Sequence, residues 1–280
     1  MNLLNLGCGS AFHKDWINLD FVSNSDAVQA HNLLEGIPFE HNSMDAVYHS
    51  HVLEHFSKVD GYKFIQECYR VLKPQGVIRI AVPDLEIIAR EYLKNLEQAL
   101  SGNEEAKNNY RWIVLELFDQ MIRNKSGGNM KSYLYQETIP NESYVFERIG
   151  MEGKKIRRLF LKSQQTTTNT ETKKASFFKR IKHKSKNVFN LGRINQSSSK
   201  LSKSEKSALE IGRFRLKGEI HQWMYDRYSL SEILKTVGFE NIKISTAFDS
   251  TIPNWEKFEL DVIQGEIRKP DSLFIEAQKL

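Results

Sequence analysis

The chain opens on a short apolar run, Leu3-Leu4-Asn5-Leu6, that ends directly in Gly7-Cys8-Gly9. A strand feeding a glycine turn constrains the fold more than any other feature here. Glycine adopts backbone conformations that other residues avoid, and it lets a ligand approach the main chain. In open α/β sheets such turns lie at the carboxyl ends of parallel strands, where ligands bind. A second strand, Trp16 to Asp20, ends in an acid. An acid in that place can accept hydrogen bonds from ribose hydroxyls. The dinucleotide fingerprint Gly-x-Gly-x-x-Gly fits poorly, because Phe12 stands at the third glycine position and Asp20 comes early. Residues 10–15 are too few for a crossover helix whose N-terminus would meet a pyrophosphate. The pattern favours an adenosine ligand without pyrophosphate.

Strand and helix signals then alternate. Ala27 to Ala30 and Met44 to Tyr48 read as a third and a fourth strand. Ser57, with Asp60 three residues on, opens a helix bearing Tyr62, Ile65, Tyr69 and Leu72, which Pro74 ends. Val77 to Val82 is a β-branched strand, and Asp84 is a candidate N-cap for a helix with Leu85, Ile88, Tyr92 and Leu96 on one face. This alternation predicts βαβ units and a parallel sheet. Glu104 to Asn124 predicts a helix with Tyr110, Ile113, Val114, Leu117, Phe118 and Met121 on one face, stopped by Ser126-Gly127-Gly128. Residues 163–176 and 195–207 are too polar to assign structure. Between them Phe177 to Lys184 is basic and partly amphipathic. Order is predicted to return near Gly218, with a helix capped by Ser229 and closed by Gly238. Strands over Phe239 to Thr246 and Ser272 to Ala277 follow. The domain reading is a core over 1–97, an insertion over 98–217 and a core over 218–280.

Composition sets outer limits. Of 280 residues, 40% are hydrophobic and 27% charged, an ordinary globular balance. No run approaches the ~18–20 apolar residues of a membrane span. No signal peptide is expected, because Asn5 and Gly7 interrupt the first apolar residues and no basic segment precedes them. Two cysteines, Cys8 and Cys68, exclude a disulfide framework and suit a reducing cytoplasm. The net charge of +5 conceals an asymmetry: residues 154–217 hold 19 Lys+Arg and 3 Asp+Glu, a net +16 against −11 elsewhere.

Three segments together resemble the class I S-adenosylmethionine-dependent methyltransferases, in particular their type 11 domain. They are Leu-Asn-Leu-Gly-Cys-Gly followed by Asn18-Leu19-Asp20; Gly36-Ile37-Pro38-Phe39 with Asn42-Ser43-Met44-Asp45; and Val52-Leu53-Glu54-His55 with Arg70-Val71-Leu72-Lys73-Pro74-Gln75-Gly76. Trp223 to Tyr228 and Arg268 to Ser272 are similar to a subgroup found with surface-polysaccharide genes. The resemblance implies a doubly wound, seven-stranded, mostly parallel sheet with an antiparallel final strand. It implies S-adenosylmethionine as cofactor. Gly7, Cys8 and Gly9 would line its methionine and ribose, Asp20 would hold the ribose hydroxyls, and Asn32 beside Leu33 would meet the adenine amine. His49, Ser50 and His51 would border the sulfonium. Gln75 replaces a family glycine, and the family's helix ahead of strand one has no counterpart before Leu3, so the insertion is expected to cover the site.

A hydroxyl acceptor benefits from a base within hydrogen-bond reach. His51, Asp84 and His221 are the catalytic candidates; His55 reads as a packing residue. No His, Asp, Glu or Cys spacing suggests a metal site. The expected function is O-methylation of a sugar in a surface glycan or its precursor. The alternatives are another small-molecule acceptor, or a non-catalytic cofactor-binding module that docks partners. The basic segment reads as a solvated insertion or as a contact with an anionic membrane, and nucleic acid ranks behind both. The expected location is the cytoplasm, peripheral to the membrane at most.

Overall fold

The computed structural model describes residues 1–177 and 202–280, with side chains described outside 165–201. Strands β1 (Leu3–Leu6), β2 (Ile17–Asp20), β3 (Val28–Ala30) and β4 (Met44–Ser50) come first. Helix α1 (Lys58–Val71), β5 (Leu72–Pro83) and α2 (Leu85–Leu100) follow. Helices α3 (Glu104–Ile122), α4 (Gly128–Leu134), α5 (Glu142–Phe177), α6 (Lys203–Arg215) and α7 (Arg227–Val237) come next. The chain ends with β6 (Phe239–Ser245), a small hairpin of β7 (Val262–Ile263) and β8 (Glu266–Ile267), and β9 (Ser272–Lys279).

The main sheet has seven strands in the order β3-β2-β1-β4-β5-β9-β6. β1 to β5 pair in parallel, and β9 is antiparallel to both β5 and β6. This is the sheet that the resemblance implied. Among the described residues nothing between 84 and 238 adds a strand to it. Its core is aliphatic: Leu4, Leu6, Val47, Ile65, Leu72, Ile78, Ile80 and Ile275 are fully buried between the sheet and helices α1 and α7.

Local rules explain most boundaries. Ser57 caps α1 by accepting from the Asp60 N–H, and Asp84 caps α2. Gly238 closes α7 with left-handed backbone, as expected. The cap of α7 differs from the sequence reading. Asp226 accepts from the N–H groups of Tyr228 and Ser229, and the Ser229 side chain reaches back to complete the box. Ser229 is therefore the third helical residue, because the carboxylate three positions earlier is the better cap. β5 starts five residues before Val77, the backbone passing from α1 into the strand without a separate turn.

The middle segment departs further. The buried face of α3 is Ala106, Asn109, Trp112, Ile113, Glu116 and Asp119, while Phe118 is half exposed. Polar residues are buried there because they pair, a pattern that apolar periodicity does not reveal. Helix α5 continues through the polar stretch 163–176 to Phe177, and α6 begins inside the stretch 195–207, at Lys203, behind a Ser202–Glu205 capping box. The expectations for 178–184 and 195–201 lie outside the described residues. Gly150 interrupts α5 with φ 56°. A Cβ there would lie 2.4 Å from Pro270 Cδ and 2.8 Å from the Arg268 carbonyl, so only glycine lets α5 approach the 268–271 loop. No described helix is long and apolar enough to cross a membrane.

Candidate active site

Buried amides shape the glycine turn. Asn5 donates from Nδ2 to the Ala11 carbonyl and to Asn18 Oδ1, each at 3.0 Å. Asn18 donates in turn to the carbonyls of His13 (3.0 Å) and Trp16 (2.8 Å). Gly7 and Gly9 both have left-handed backbone, φ 62° and 55°. A Cβ on Gly7 would come within 2.3 Å of Val52 Cγ2, whereas one on Gly9 would meet nothing within 4 Å. Packing thus requires the first glycine, and the second leaves open space above the turn.

Asp20 faces that turn. Its Oδ2 accepts from the Gly9 N–H at 2.7 Å and its Oδ1 from the Val22 N–H at 3.3 Å. A carboxylate oxygen can accept two hydrogen bonds, so each keeps capacity for a ligand hydroxyl. Burial and the Asp20 charge push the Cys8 thiol up to about 11, so it stays protonated. The Asp20 carbonyl accepts from the His31 N–H at 2.8 Å, which sets Asn32 and Leu33 beside Asp20 at the carboxyl edge. Asn32 caps the 3-10 turn Leu33–Glu35 through its side-chain oxygen and donates to Glu35 at 3.0 Å. Gly7, Cys8, Gly9, Asp20, Asn32 and Leu33 therefore lie together, at the ends of three adjacent strands. An open glycine backbone, a carboxylate with free acceptor capacity and an amide fit S-adenosylmethionine.

His49 does not join them. Strand alternation places it on the Val47 face, where its ring edge packs on Phe64 at 5.1 Å and neither nitrogen has a partner. Burial pushes its pKa down to about 3, so it is a neutral core residue. Ser50 stays near the edge, and its Oγ accepts from Arg268 Nη2 at 3.0 Å.

Beyond Ser50 the chain turns sharply. His51 has φ 55°, an uncommon conformation for a non-glycine residue and one enriched at functional sites. Its Nε2 lies 2.8 Å from Ser272 Oγ and its Nδ1 lies 3.3 Å from Glu54 Oε1. Val52, which packs on Gly7, leads into the 3-10 turn Leu53–His55. A cavity of about 480 Å³ opens there. Its walls are His51, Glu54, His55, His221, Lys269 and Asp271 on one side and residues of α3, α4, α5 and their C-caps, among them Arg123, Tyr135 and Glu152, on the other. Part of the segment 98–217 thus forms one wall of this cavity. Residue 221 reaches it because its N–H donates to the Gln120 carbonyl of α3, while the Gln222 N–H donates to the Glu54 carbonyl.

Asp84 is set aside from this group. Its Oδ1 caps α2, accepting from the N–H groups of Glu86 (2.9 Å) and Ile87 (3.2 Å), and it does not line the cavity. The sequence reading passed over Glu54, Lys269 and Asp271. Burial pushes the Glu54 carboxyl up to about 8 and the Asp271 carboxyl up to about 7. Burial also holds His51 and His221 well below the ordinary histidine range, with nearby positive charge adding to the shift. Perturbed acids and bases converging on a cleft mark a functional site. Both missed acids stand in motifs already noticed, Val-Leu-Glu-His and Arg-Lys-Pro-Asp-Ser. The signal was a carboxylate set among apolar or rigid neighbours.

Residues 4–80 match the family model of the methyltransferase domain. Over those residues, about a quarter of its length, the chain is similar to a methyltransferase domain. That likeness supports S-adenosylmethionine as cofactor and methyl transfer as the class of reaction. Among solved structures, a SAM-dependent methyltransferase from Thermotoga maritima, described as a possible histamine N-methyltransferase, is 12% identical. It covers 100% of this chain and 82% of its own at a TM-score of 0.40. A SAM-dependent methyltransferase from Archaeoglobus fulgidus is 13% identical over 99% of this chain and 86% of its own, with a TM-score of 0.38. A chain of a Haloferax volcanii complex between a methyltransferase and its activator is 19% identical over 33% of this chain, with a TM-score of 0.27. The match spans only 50% of that chain's length. No curated protein matches the sequence.

Proposed function

We propose that this methyltransferase acts on a hydroxyl of a sugar, in a surface glycan or its precursor. One observation carries the reading. His51, held between Ser272 and Glu54, stands at the wall of a polar cavity and next to Val52, the residue that packs on the cofactor turn. S-adenosylmethionine supplies an activated methyl group on a sulfonium sulfur. The protein has to align an acceptor oxygen with it and remove one proton. Alignment alone is a large part of such a rate. Burial keeps His51 neutral, so its Nε2 can take the hydroxyl proton, directly or through Ser272 Oγ. Glu54 Oε1, 3.3 Å from Nδ1, stands where it can accept the hydrogen that the imidazolium carries there. Basic and acidic groups alternate around the cavity, with Arg123 and Lys269 opposed by Glu152, Glu219 and Asp271. Mixed donors and acceptors suit a polyol, and the volume falls within the ~300–1,000 Å³ of small-molecule sites.

The test has two stages. Calorimetric titration should show micromolar binding of S-adenosylmethionine and S-adenosylhomocysteine and none of NAD; absence of both would remove the cofactor reading. Release of S-adenosylhomocysteine should then depend on a sugar nucleotide or glycan fragment. Release with amines or carboxylates alone would overturn the sugar assignment. We also propose that residues 154–217 dock on an anionic membrane. Lys155, Arg158, Leu159 and Leu161 are exposed on α5, and each basic residue near such a surface contributes ~1 kcal/mol. Binding to phosphatidylserine vesicles should weaken with salt; equal affinity for neutral vesicles would remove the idea.

A further inference from the structure

We propose that Glu54, His55 and His221 form a binding site for a divalent transition-metal ion on the floor of the cavity. These three residues each bring one ligand atom into a group whose members all lie within 4.8 Å of one another. The Nε2 atoms of His55 and His221 are each 4.0 Å from Glu54 Oε1. A tetrahedral ion with bonds of about 2.0–2.1 Å sets its ligands about 3.4 Å apart. Each histidine therefore has to close on Glu54 by about 0.6 Å, and the two histidines on one another by about 1.4 Å at most.

Three independent features point to a ligand. First, the Glu54 side chain is fully buried and neither oxygen has a hydrogen-bond partner. Buried carboxyl groups almost always have partners, and one that lacks them calls for a missing one. Second, His55 Nδ1 lies 3.1 Å from the Ile220 carbonyl. A carbonyl can only accept, so Nδ1 carries the hydrogen and the Nε2 lone pair is left for a ligand. Orientation of a ligating histidine through its other nitrogen is the usual arrangement of a metal site. Third, His51 sits on the same carboxylate, Nδ1 to Oε1 at 3.3 Å, where it would orient a bound Glu54 from outside.

The donor set narrows the ion. Two imidazoles and one carboxylate suit zinc, manganese, iron, cobalt or nickel, whereas magnesium and calcium prefer oxygen ligands alone. Three protein ligands leave a position open, and all three residues line the cavity. An ion there would receive an acceptor oxygen, which extends the reading of the cavity as an acceptor site without depending on it. The set was hidden in the sequence because His221 lies far along the chain from Glu54 and returns only through its contact with α3.

The experiment uses the full chain, stripped with a chelator and titrated with Co(II), reading visible d–d absorption and then competition by Zn(II). One Co(II) per chain with micromolar or tighter affinity is expected. His55→Ala, His221→Ala and Glu54→Gln should each weaken binding at least tenfold, whereas His41→Ala, at an exposed position, should leave it unchanged. His55 is part-exposed, so its variant serves if the buried ones fail to fold by circular dichroism. No Co(II) absorption at millimolar metal, or equal affinity in His55→Ala, overturns the site. S-adenosylmethionine affinity is measured on the same samples. Intact cofactor binding without metal binding removes only this inference, and metal binding without cofactor binding removes only the cofactor reading.

Discussion

Around Ile78 the protein is packed with hydrocarbon, and around Arg148 it is packed with charge. The sheet buries a continuous aliphatic cluster against α1 and α7. The helical segment over it has a small apolar cluster of Trp112, Leu134, Ile139 and Val145, and surrounds it with paired polar groups. Arg148 donates to Glu116 at 2.7 Å, and Glu116 also accepts from Trp112 Nε1. Asp119 accepts from the Asn129 N–H at 2.7 Å and from Arg123 at 3.0 Å, and Asn141 donates to Asn109 at 3.1 Å. Hydrophobic burial is non-directional, so it fixes that the sheet folds while tolerating many sequences. Buried ion pairs are directional, so they fix how the cavity wall is shaped. The sheet has one such device of its own. Arg79, fully buried on β5, is within 2.8 Å of both Asp261 and Glu276 and anchors the excursion between β6 and β9.

The comparison breaks most directly at Arg148. Arg148→Ala leaves Glu116 buried without its countercharge, which costs about 3–5 kcal/mol. Hydrogen exchange should rise across residues 104–160, while the sheet stays protected and S-adenosylmethionine still binds. Uniform exchange over the whole chain would show that the two regions are one cooperative unit. Next in size is Asp20→Ala, which removes a charged acceptor from the sheet edge alone. Cofactor affinity should fall more than about tenfold, or ~1.4 kcal/mol, by calorimetry, with exchange in the helical segment unchanged. Unchanged affinity would take Asp20 out of the site.

The smallest effect sharpens the contrast from inside the sheet. His49 titrates near 6.5 when unfolded and at about 3 when folded. The unfolded chain therefore binds the extra proton first, and stability falls as pH drops below 6.5, down to about 3. At pH 5.5 the loss from this group is about 1 kcal/mol. His49→Leu should show a shallower decline of the melting temperature between pH 7 and pH 5 than the parent protein. Parallel declines would mean that His49 is not the neutral core residue described above.

Legibility followed the same divide. β1 was read to the residue, because an apolar run ended by Gly7 has few alternatives. The turn that brings Gly7, Gly9 and Asp20 together is legible because they are close in sequence and their conformational reasons are local. The face of α3 is legible in part: Ile113, Leu117 and Met121 do pack together with Ile88 and Met224, but Asn109, Glu116 and Asp119 are buried only by virtue of partners elsewhere, which apolar periodicity does not count. The polar run 163–176 carries no burial signal, yet its backbone continues a helix begun at Glu142. Glu54 and Asp271 escaped notice for a related reason. Their burial depends on segments that meet only in three dimensions, as when the Asp84 N–H bonds the Asp271 carbonyl and the Leu85 N–H bonds the Tyr225 carbonyl.

The place of β9 has a consequence for synthesis. It lies between β5 and β6, although it follows both in the chain. As the polypeptide leaves the ribosome, the five parallel strands and the glycine turn can assemble early from neighbouring segments. β6 then waits without a partner until residues 272–279 emerge. The same late segment delivers Ser272 to His51. A nascent chain can therefore shape its glycine turn well before Ser272 meets His51, so the two parts of the proposed site form from segments made at different times.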